Sequence, residues 1–210
     1  MMKKYNIIDL FSGCGGLLDG FMQTGLYYPV ASVEWEIAPV ETLRKRLKEK
    51  WGINDADESV IRFDIQRFDE LINGFDDDTY GKNVGLKKIT EGKKIDFIIG
   101  GPPCQAYSVA GRVSVDQKQK PDYRNYLFEY YLRIVDYLQP KLFVFENVPG
   151  MLSAMPDGTP IIDLIKRDIN NKGFEIIDDI RKYAVLDASD YDVPQIRKRV
   201  ILIGLNKKIF

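Results

Sequence analysis

Short apolar runs alternate along this chain with longer stretches whose apolar residues recur at helical spacing. The apolar runs predict buried strands at residues 5–10, 30–34, 61–65, 95–100, 142–146 and 200–204, and a further strand-like run covers 174–180. The amphipathic stretches predict helices at residues 17–22, 39–47, 125–138 and 160–172. Strands that alternate with helices form βαβ units. We therefore predict an α/β fold with a doubly wound, mostly parallel sheet that carries helices on both faces.

Two polar stretches interrupt this alternation. Residues 68–94 contain three consecutive aspartates, Asp76 to Asp78, with several Gly and Lys residues, which predicts a partly helical, solvated insertion. Residues 109–123 form a polar segment shortly after Cys104, where a loop can close over a bound molecule. No linker divides the chain, so we expect a single domain over residues 1–210.

The composition is typical of a soluble globular protein, with 45% hydrophobic and 29% charged residues. No apolar run approaches membrane-spanning length, and residues 1–5 lead into a strand without a signal-peptide pattern. We therefore expect a cytoplasmic protein of a bacterial-type cell with no membrane partner. A net charge of −1 gives the whole chain little attraction for nucleic acid, so such contact needs a local basic patch or another polypeptide.

The absence of histidine narrows the possible chemistry. It excludes Ser-His and Cys-His hydrolases, and with only two cysteines, Cys14 and Cys104, it leaves no plausible zinc site, so we expect no metal. Each cysteine lies in a glycine-containing turn, which argues against a disulfide framework.

The segment Gly101-Pro102-Pro103-Cys104-Gln105 follows the apolar run 95–100. A thiol at the carboxyl end of a central strand lies where open α/β sheets present their reacting groups. Gln105, Ser108 and Arg112 are nearby polar groups that can hold a planar substrate. The alternative is a buried structural cysteine, because free cysteines are often buried.

Polar groups at the ends of the first three predicted strands suit an adenosine-containing molecule. The turn Gly13-x-Gly15-Gly16 permits close approach of the backbone, although Leu18 breaks the G-x-G-x-x-G spacing. Glu34 follows about 20 residues later, where an acid accepts hydrogen bonds from ribose hydroxyls. Trp35 can pack on adenine and Asp64 can accept from its exocyclic amine. The alternatives are an ordinary tight turn and a core aromatic residue.

Two further segments carry charged groups near the predicted strand ends. Glu146-Asn147-Val148 ends the run 142–146, and a buried carboxyl with raised pKa can protonate a ring nitrogen; a helix cap or ion pair is the alternative. Gln195, Arg197 and Arg199 alternate just before the last strand, which places them on one face. The arginines can bind a phosphate, a base carbonyl or Glu146, or can form an exposed basic edge.

Taken in order, Asp9-Leu10-Phe11-Ser12-Gly13-Cys14-Gly15-Gly16, Gly101-Pro102-Pro103-Cys104-Gln105, Glu146-Asn147-Val148 and Gln195-x-Arg197-x-Arg199 resemble the cytosine-5 DNA methyltransferase family. The resemblance covers essentially the whole chain. It implies a seven-stranded, Rossmann-like methyltransferase sheet with one antiparallel strand near the carboxyl end, S-adenosylmethionine as methyl donor, and double-stranded DNA with a flipped cytosine as substrate.

The resemblance also implies roles for individual residues. Cys104 adds to carbon 6 of cytosine and Glu146 protonates N3, while Arg197 and Arg199 hold the base and its phosphate and Arg199 orients Glu146. The implied cofactor-binding residues are Phe11, Gly13, Gly15, Glu34, Trp35, Asp64, Ile65, Pro102 and Leu127. The implied substrate-binding residues are Gln105, Ser108, Arg112, Asn147 and Gln195, with residues 104–123 as the closing loop.

The chain departs from the family pattern in three places. Asn125 replaces a glycine, Glu36 stands where Asp is frequent, and the target-recognition domain and final asparagine-containing motif have no counterpart. We therefore expect the catalytic part of a restriction-modification methyltransferase that needs a second subunit or segment. The alternatives are an inactive half-protein that binds cofactor or a partner, and an RNA cytosine-5 methyltransferase. The broken glycine spacing disfavours a nicotinamide dehydrogenase.

Overall fold

The computed structural model describes residues 3–103, 127–155 and 158–210. Within it the chain divides into a first unit, residues 1–100, and a second unit, residues 101–210. Cys104, Gln105, Ser108 and Arg112 lie outside the described residues, as does the predicted closing loop. The single domain expected over residues 1–210 stays a prediction.

Four parallel strands form the sheet of the first unit, in the order β3-β2-β1-β6. They are β1 (Tyr5–Leu10), β2 (Tyr27–Glu34), β3 (Val60–Arg62) and β6 (Phe97–Gly100). Ile7 and Ile8 of β1 point to opposite faces of the sheet and are both fully buried, so both faces of this central strand are covered. The parallel α/β arrangement predicted from the sequence is confirmed in this unit, although β3 ends at Arg62 rather than at residue 65.

Five helices and a hairpin complete the first unit. The helices are α1 (Gly16–Gln23), α2 (Ile37–Trp51), α3 (Ala56–Ser59), α4 (Phe68–Asn73) and α5 (Gly85–Ile89), and the hairpin pairs β4 (Phe75–Asp77) with β5 (Gly81–Asn83). Helix α2 buries Val40, Leu43 and Leu47, which recur at helical spacing. It ends where Gly52 adopts a left-handed conformation (φ 65°).

The insertion at residues 68–94 is less solvated than its composition predicts. Leu71 and Leu86 are fully buried. The ring of Phe75 stacks on that of Phe63, with centroids 3.8 Å apart. The insertion therefore adds apolar contacts to the first unit, and its charged residues lie on the outer side of a small hydrophobic layer.

A buried aspartate joins α1 to α2. Asp19 accepts hydrogen bonds from Arg46 Nη2 at 2.8 Å, Lys50 Nζ at 3.1 Å and Trp51 Nε1 at 2.9 Å. The Arg46 guanidinium, followed by Lys50 and Trp51, holds the pKa of this carboxyl well below its ordinary value. Three side chains of α2 thereby fix the helix that follows the glycine turn.

In the second unit every pairing of strands is antiparallel within the described residues. Strand β10 (Lys198–Asn206) pairs with β7 (Leu142–Asn147), β8 (Phe174–Glu175) and β9 (Val185–Asp187). The helices are α6 (Leu127–Leu138), α7 (Ile161–Asn171) and α8 (Ile180–Tyr183). The predicted antiparallel strand near the carboxyl end is confirmed as β10. The strand predicted at 174–180 is only two residues long, because the chain soon turns into α8.

Aromatic side chains pack one face of this second sheet. Tyr131 of α6 is fully buried and its hydroxyl donates to Val144 O at 2.9 Å. Its ring meets those of Phe143 and Phe145 edge-on, which are favourable aromatic contacts. In the described part of the chain, no helix combines the length and apolar character needed to span a bilayer.

We predict that Asp19→Ala lowers the free energy of unfolding by about 2 kcal/mol at pH 7, because it leaves Trp51 Nε1 and two cations without their acceptor. Urea unfolding followed by circular dichroism measures this. The carboxyl has a lowered folded pKa, so its contribution is complete above the unfolded pKa of about 3.9 and is lost as pH falls through the folded value. The difference between the two proteins should therefore shrink below about pH 4.

Lys45→Ala provides the control, because Lys45 forms an exposed i,i+4 pair with Glu49 on the same helix. Its removal should change stability by less than about 0.5 kcal/mol. Equal effects of the two substitutions would show that Asp19 does not anchor α2.

Candidate active site

The turn after β1 has a backbone that few residues tolerate. Gly13 (φ 52°) and Gly15 (φ 79°) adopt left-handed conformations, and Phe11 does so as well (φ 56°). A Cβ atom on Gly15 would lie 2.4 Å from Leu43 Cδ1, so α2 packs too closely for any side chain there. A Cβ on Gly13 would meet nothing within 4 Å. Helix α2 thus packs closely against the turn at Gly15, whereas the space beside Gly13 is open.

Three main-chain amides hold the carboxylate of Glu34. Gly13 N donates to Oε2 at 2.8 Å, and Trp35 N and Glu36 N donate to Oε1 at 2.8 and 3.0 Å. These bonds tie the end of β2 to the glycine turn and fix the direction of the carboxylate. Trp35 has 53% of its surface exposed, so its ring stands beside this acid at the surface. A carboxylate with spare lone pairs and an exposed indole suit a ribose and a flat base.

A second acidic turn follows β3. Phe63 N donates to Glu34 O at 3.0 Å, and Gln66 N donates to Asp64 Oδ1 at 2.9 Å. Ile65 is buried. A main-chain hydrogen bond thus joins the end of β2 to the turn that carries Asp64, and the cofactor pocket stays a prediction.

Asp9 is a buried acid that the sequence reasoning did not select. Burial, and secondarily the charge of Glu34, raise its pKa well above the ordinary value. Its Oδ2 atom and the hydroxyl of Ser32, its register partner on β2, have no hydrogen-bond partner among the described residues. The signal in the sequence was an acidic residue between Ile8 and Leu10, in the apolar half of the strand Tyr5–Leu10.

In the second unit, Glu146 forms an ion pair with Arg199. Arg199 Nε lies 2.7 Å from Glu146 Oε1, and both side chains are only partly exposed. Ile201 lies opposite Glu146 in the antiparallel register, so Arg199, two residues earlier, projects from the same face and reaches the carboxylate diagonally. The pairing of β7 with β10 therefore sets this contact.

The segment 101–103, which leads into Cys104, is tied to the end of β7. A Cβ atom on Gly101 would lie 2.7 Å from Glu146 Oε2, so only glycine lets the carboxylate approach the main chain this closely. Asn147 Nδ2 donates to Pro102 O at 3.2 Å, and Val148 N donates to Asn147 Oδ1 at 2.8 Å. Asn147 and Pro102 are both buried. Gly101 is the second residue whose role the sequence reasoning did not specify.

The other residues of the basic run precede the strand that carries Arg199. Strand β10 begins at Lys198, and Gln195 N donates to Val193 O at 2.7 Å, which bends the chain before the strand. Gln195 and Arg197 are exposed, and the main chain of Arg197 accepts from Ala188 N at 3.0 Å and donates to Asp187 Oδ1 at 2.9 Å. A common face of Gln195, Arg197 and Arg199 stays a prediction. Leu127 is buried at the first residue of α6.

The profile of the C-5 cytosine-specific DNA methylase family matches residues 5–75 and 78–209 of this chain. Among curated proteins, the Type II methyltransferase M.Bpa9945I of Bacillus paralicheniformis is 35% identical over 97% of this chain and 54% of its own length. The Type II methyltransferase M.DdeI of Desulfomicrobium norvegicum is 37% identical over 95% of this chain and 40% of its own length. This chain thus spans about half the length of the curated relatives it matches.

Solved structures show the same fold. A protein of E. coli described as a DNA modification methyltransferase encoded within a prophage superposes with a TM-score of 0.67 at 30% identity, over 98% of this chain and 48% of its own. The Dnmt2 methyltransferase of S. pombe superposes with a TM-score of 0.62 at 15% identity, over 97% of this chain and 51% of its own, a likeness of fold alone. The predicted Rossmann-like methyltransferase fold is confirmed.

We predict that Gly101→Ala displaces the Glu146 carboxylate and lengthens its contact with Arg199 beyond about 3.5 Å, while stability stays within about 1 kcal/mol of wild type. The reason is that the new methyl group meets the far end of a flexible side chain. A crystal structure of the variant and a urea unfolding curve measure the two effects.

Gly204→Ala is the matched comparison. Its Cβ would lie 2.1 Å from the buried ring of Phe143, which has no room to move, so we expect a loss of about 3 kcal/mol. An unchanged Glu146–Arg199 contact in Gly101→Ala would contradict the proposed crowding.

Proposed function

Because this chain belongs to the C-5 cytosine-specific DNA methylase family, we propose that it is the catalytic part of an enzyme that methylates carbon 5 of cytosine in DNA. The observation that carries the proposal is the Glu146–Arg199 ion pair, held against Gly101 just before Cys104. The pair contains the acid and the cation that this reaction needs. Gly101, which the acid contacts, precedes the nucleophile Cys104 by three residues. Participation in a restriction-modification system is part of the proposal.

The first unit fits an adenosine-containing methyl donor. Glu34 would accept from the ribose hydroxyls, Trp35 would pack on the base and Asp64 would accept from its amine, while the open side of Gly13 leaves room beside the turn. The further residues of this unit proposed to line the cofactor site are Phe11, Gly15 and Ile65. The family resemblance also assigns cofactor binding to Pro102 and Leu127 of the second unit. When bound, S-adenosylmethionine supplies an electrophilic methyl group on its sulfonium sulfur.

In the proposed mechanism, the Cys104 thiolate forms a bond to carbon 6 of the flipped cytosine, and the ring electrons move toward N3. The Glu146 carboxyl donates a proton to N3 and leaves an electron-rich carbon 5. After carbon 5 has been methylated, a base such as water accepts the proton of carbon 5, and the electrons of that C–H bond form the C5–C6 double bond. The carbon–sulfur bond breaks to release the Cys104 thiolate, and N3 returns its proton to Glu146.

Arg199 contributes to these reaction steps by orienting the Glu146 carboxyl. Its Nε–H bonds to Oε1, which leaves Oε2, the oxygen nearest Gly101, to face the substrate. A second role of Arg199, and the role of Arg197, is to bind the base and its phosphate. Gln105, Ser108, Arg112, Asn147 and Gln195 are the further proposed substrate contacts.

The proposal includes a second polypeptide or segment that carries target recognition. The basic run of α2 is engaged within the protein, since Arg46 and Lys50 bind Asp19 and Lys48 binds Asp57. With a net charge of −1, the chain as a whole has little electrostatic attraction for DNA.

We predict that Cys104→Ser abolishes methyl incorporation and Glu146→Gln lowers it by about 10²–10⁴-fold, because these groups form the adduct and protonate the ring. The assay uses tritiated S-adenosylmethionine with mixed-sequence DNA or RNA, with and without the polypeptide encoded immediately downstream. Cys14→Ser is the control, because Cys14 is an exposed cysteine outside the proposed mechanism and its loss should leave the rate unchanged.

The outcomes of this assay distinguish the proposed function from its two alternatives. Incorporation into DNA only with the second polypeptide supports a split enzyme, and incorporation into RNA alone supports an RNA methyltransferase. Cofactor binding without incorporation under any condition supports a non-catalytic protein. A Cys104→Ser variant that methylates at the wild-type rate would contradict the mechanism.

A further inference from the structure

We propose that the hairpin β4–β5, acting through the ion pair of Arg67 with Asp77, positions Asp64 to select adenine in the cofactor. The inference rests on the proposed function, because it assigns the 6-amino group of an adenosine cofactor to Asp64. Arg67 and Asp77 are thus positioning residues that do not themselves touch the ligand. The insertion at 68–94 becomes part of the cofactor-recognition machinery rather than a solvated connection.

Main-chain hydrogen bonds fix both ends of the turn that carries Asp64, residues 63–67. At its start, Phe63 N donates to Glu34 O at 3.0 Å, which joins it to the proposed ribose-binding acid. At its end, Arg67 N donates to Asp64 O at 3.0 Å. Any displacement of Phe63 or Arg67 therefore moves Asp64 relative to Glu34.

The carboxylate of Asp64 is oriented within this turn. Its Oδ1 atom accepts from Gln66 N at 2.9 Å, and Gln66 Nε2 lies 3.4 Å away. Among residues 3–103, 127–155 and 158–210, no group donates a hydrogen bond to Oδ2. Oδ2 is the atom that we assign to the adenine amine, which is a hydrogen-bond donor. A 6-oxo base presents a carbonyl there and would oppose the carboxylate.

Aromatic rings fix the start of the turn to the hairpin. Phe63 is buried, stacks on Phe75 of β4, and meets the ring of Tyr80 edge-on at 5.1 Å. The guanidinium of Arg67 lies 4.7 Å above the ring of Phe63, within the range of a cation–π contact. The same arginine thus contacts both ends of the turn.

Asp77 fixes Arg67 from the hairpin. Arg67 Nη1 lies 2.7 Å from Asp77 Oδ2, and Arg67 Nε lies 2.8 Å from Glu70 Oε1. The other oxygen of Asp77 accepts from Thr79 N at 2.8 Å and Tyr80 N at 3.0 Å, which closes the loop between β4 and β5. These bonds, that of Arg67 foremost, lower the pKa of Asp77, so the carboxylate stays ionised at neutral pH.

The test compares the binding of S-adenosylhomocysteine with that of S-inosylhomocysteine, its 6-oxo analogue, by isothermal titration calorimetry. We expect wild type to prefer the adenosine ligand, Asp64→Asn to lose most of that preference, and Asp77→Asn to lower the ratio of dissociation constants about three- to ten-fold. Asp77→Asn removes one of the two carboxylates that hold Arg67, the one on the hairpin, while Glu70 and Asp64 stay unchanged. A general loss of structure would weaken both ligands equally and leave the ratio unaltered.

Asp76→Asn is the matched control. Asp76 is the neighbouring residue of the same strand and forms an exposed ion pair with Lys82, so its substitution should leave the ratio unchanged. An unaltered ratio in Asp77→Asn would overturn the inference, as would equal effects of the two asparagine substitutions. Failure of wild type to bind S-adenosylhomocysteine would instead overturn the proposed function.

Discussion

Main-chain amides hold the acidic groups at the strand ends of the first unit. Glu34 accepts from three of them, and Asp64 accepts from one. Because strands and a glycine turn fix the positions of these amides, the carboxylates need little reorganisation before they meet a ligand. Gly13 has a double role, since it gives the turn its left-handed backbone and donates to Glu34. The geometry of the proposed cofactor site is thus set by the fold itself.

The second unit orients its acid differently. Glu146 is held by a side chain, Arg199, and by its close approach to Gly101. A carboxyl that gives up and regains a proton benefits from a side-chain partner that can change its position during the reaction. A carboxylate that only accepts hydrogen bonds does not need a movable partner. Asn147 completes the arrangement by binding Pro102 O, so that the segment entering Cys104 starts from a fixed point. The contrast between the two units matches the two proposed tasks of binding and proton transfer.

Much of this could be predicted from the sequence, because local signals and tertiary structure agree. The apolar runs located β1, β2 and β7, and the acids at their ends, Glu34 and Glu146, lie where expected. The features that the sequence did not predict depend on packing between segments that are distant along the chain. The layer that buries Leu71 and Leu86 has no strong periodic pattern, and the strand that contains Arg199 begins only at Lys198, after the exposed Gln195 and Arg197. The burial of Asp9 follows from its neighbours on adjacent strands, which a single sequence does not reveal.

The left-handed backbone of Phe11 has a consequence for protein engineering. A bulky residue in this conformation raises the free energy of the folded state by about 1–3 kcal/mol, whereas glycine or asparagine at the same position relieves most of it. Directed evolution toward heat resistance should therefore favour replacement of this aromatic ring, at the expense of the surface it contributes beside the turn. Because Phe11 is one of the proposed cofactor-binding residues, such variants should gain melting temperature and lose affinity for the proposed cofactor together.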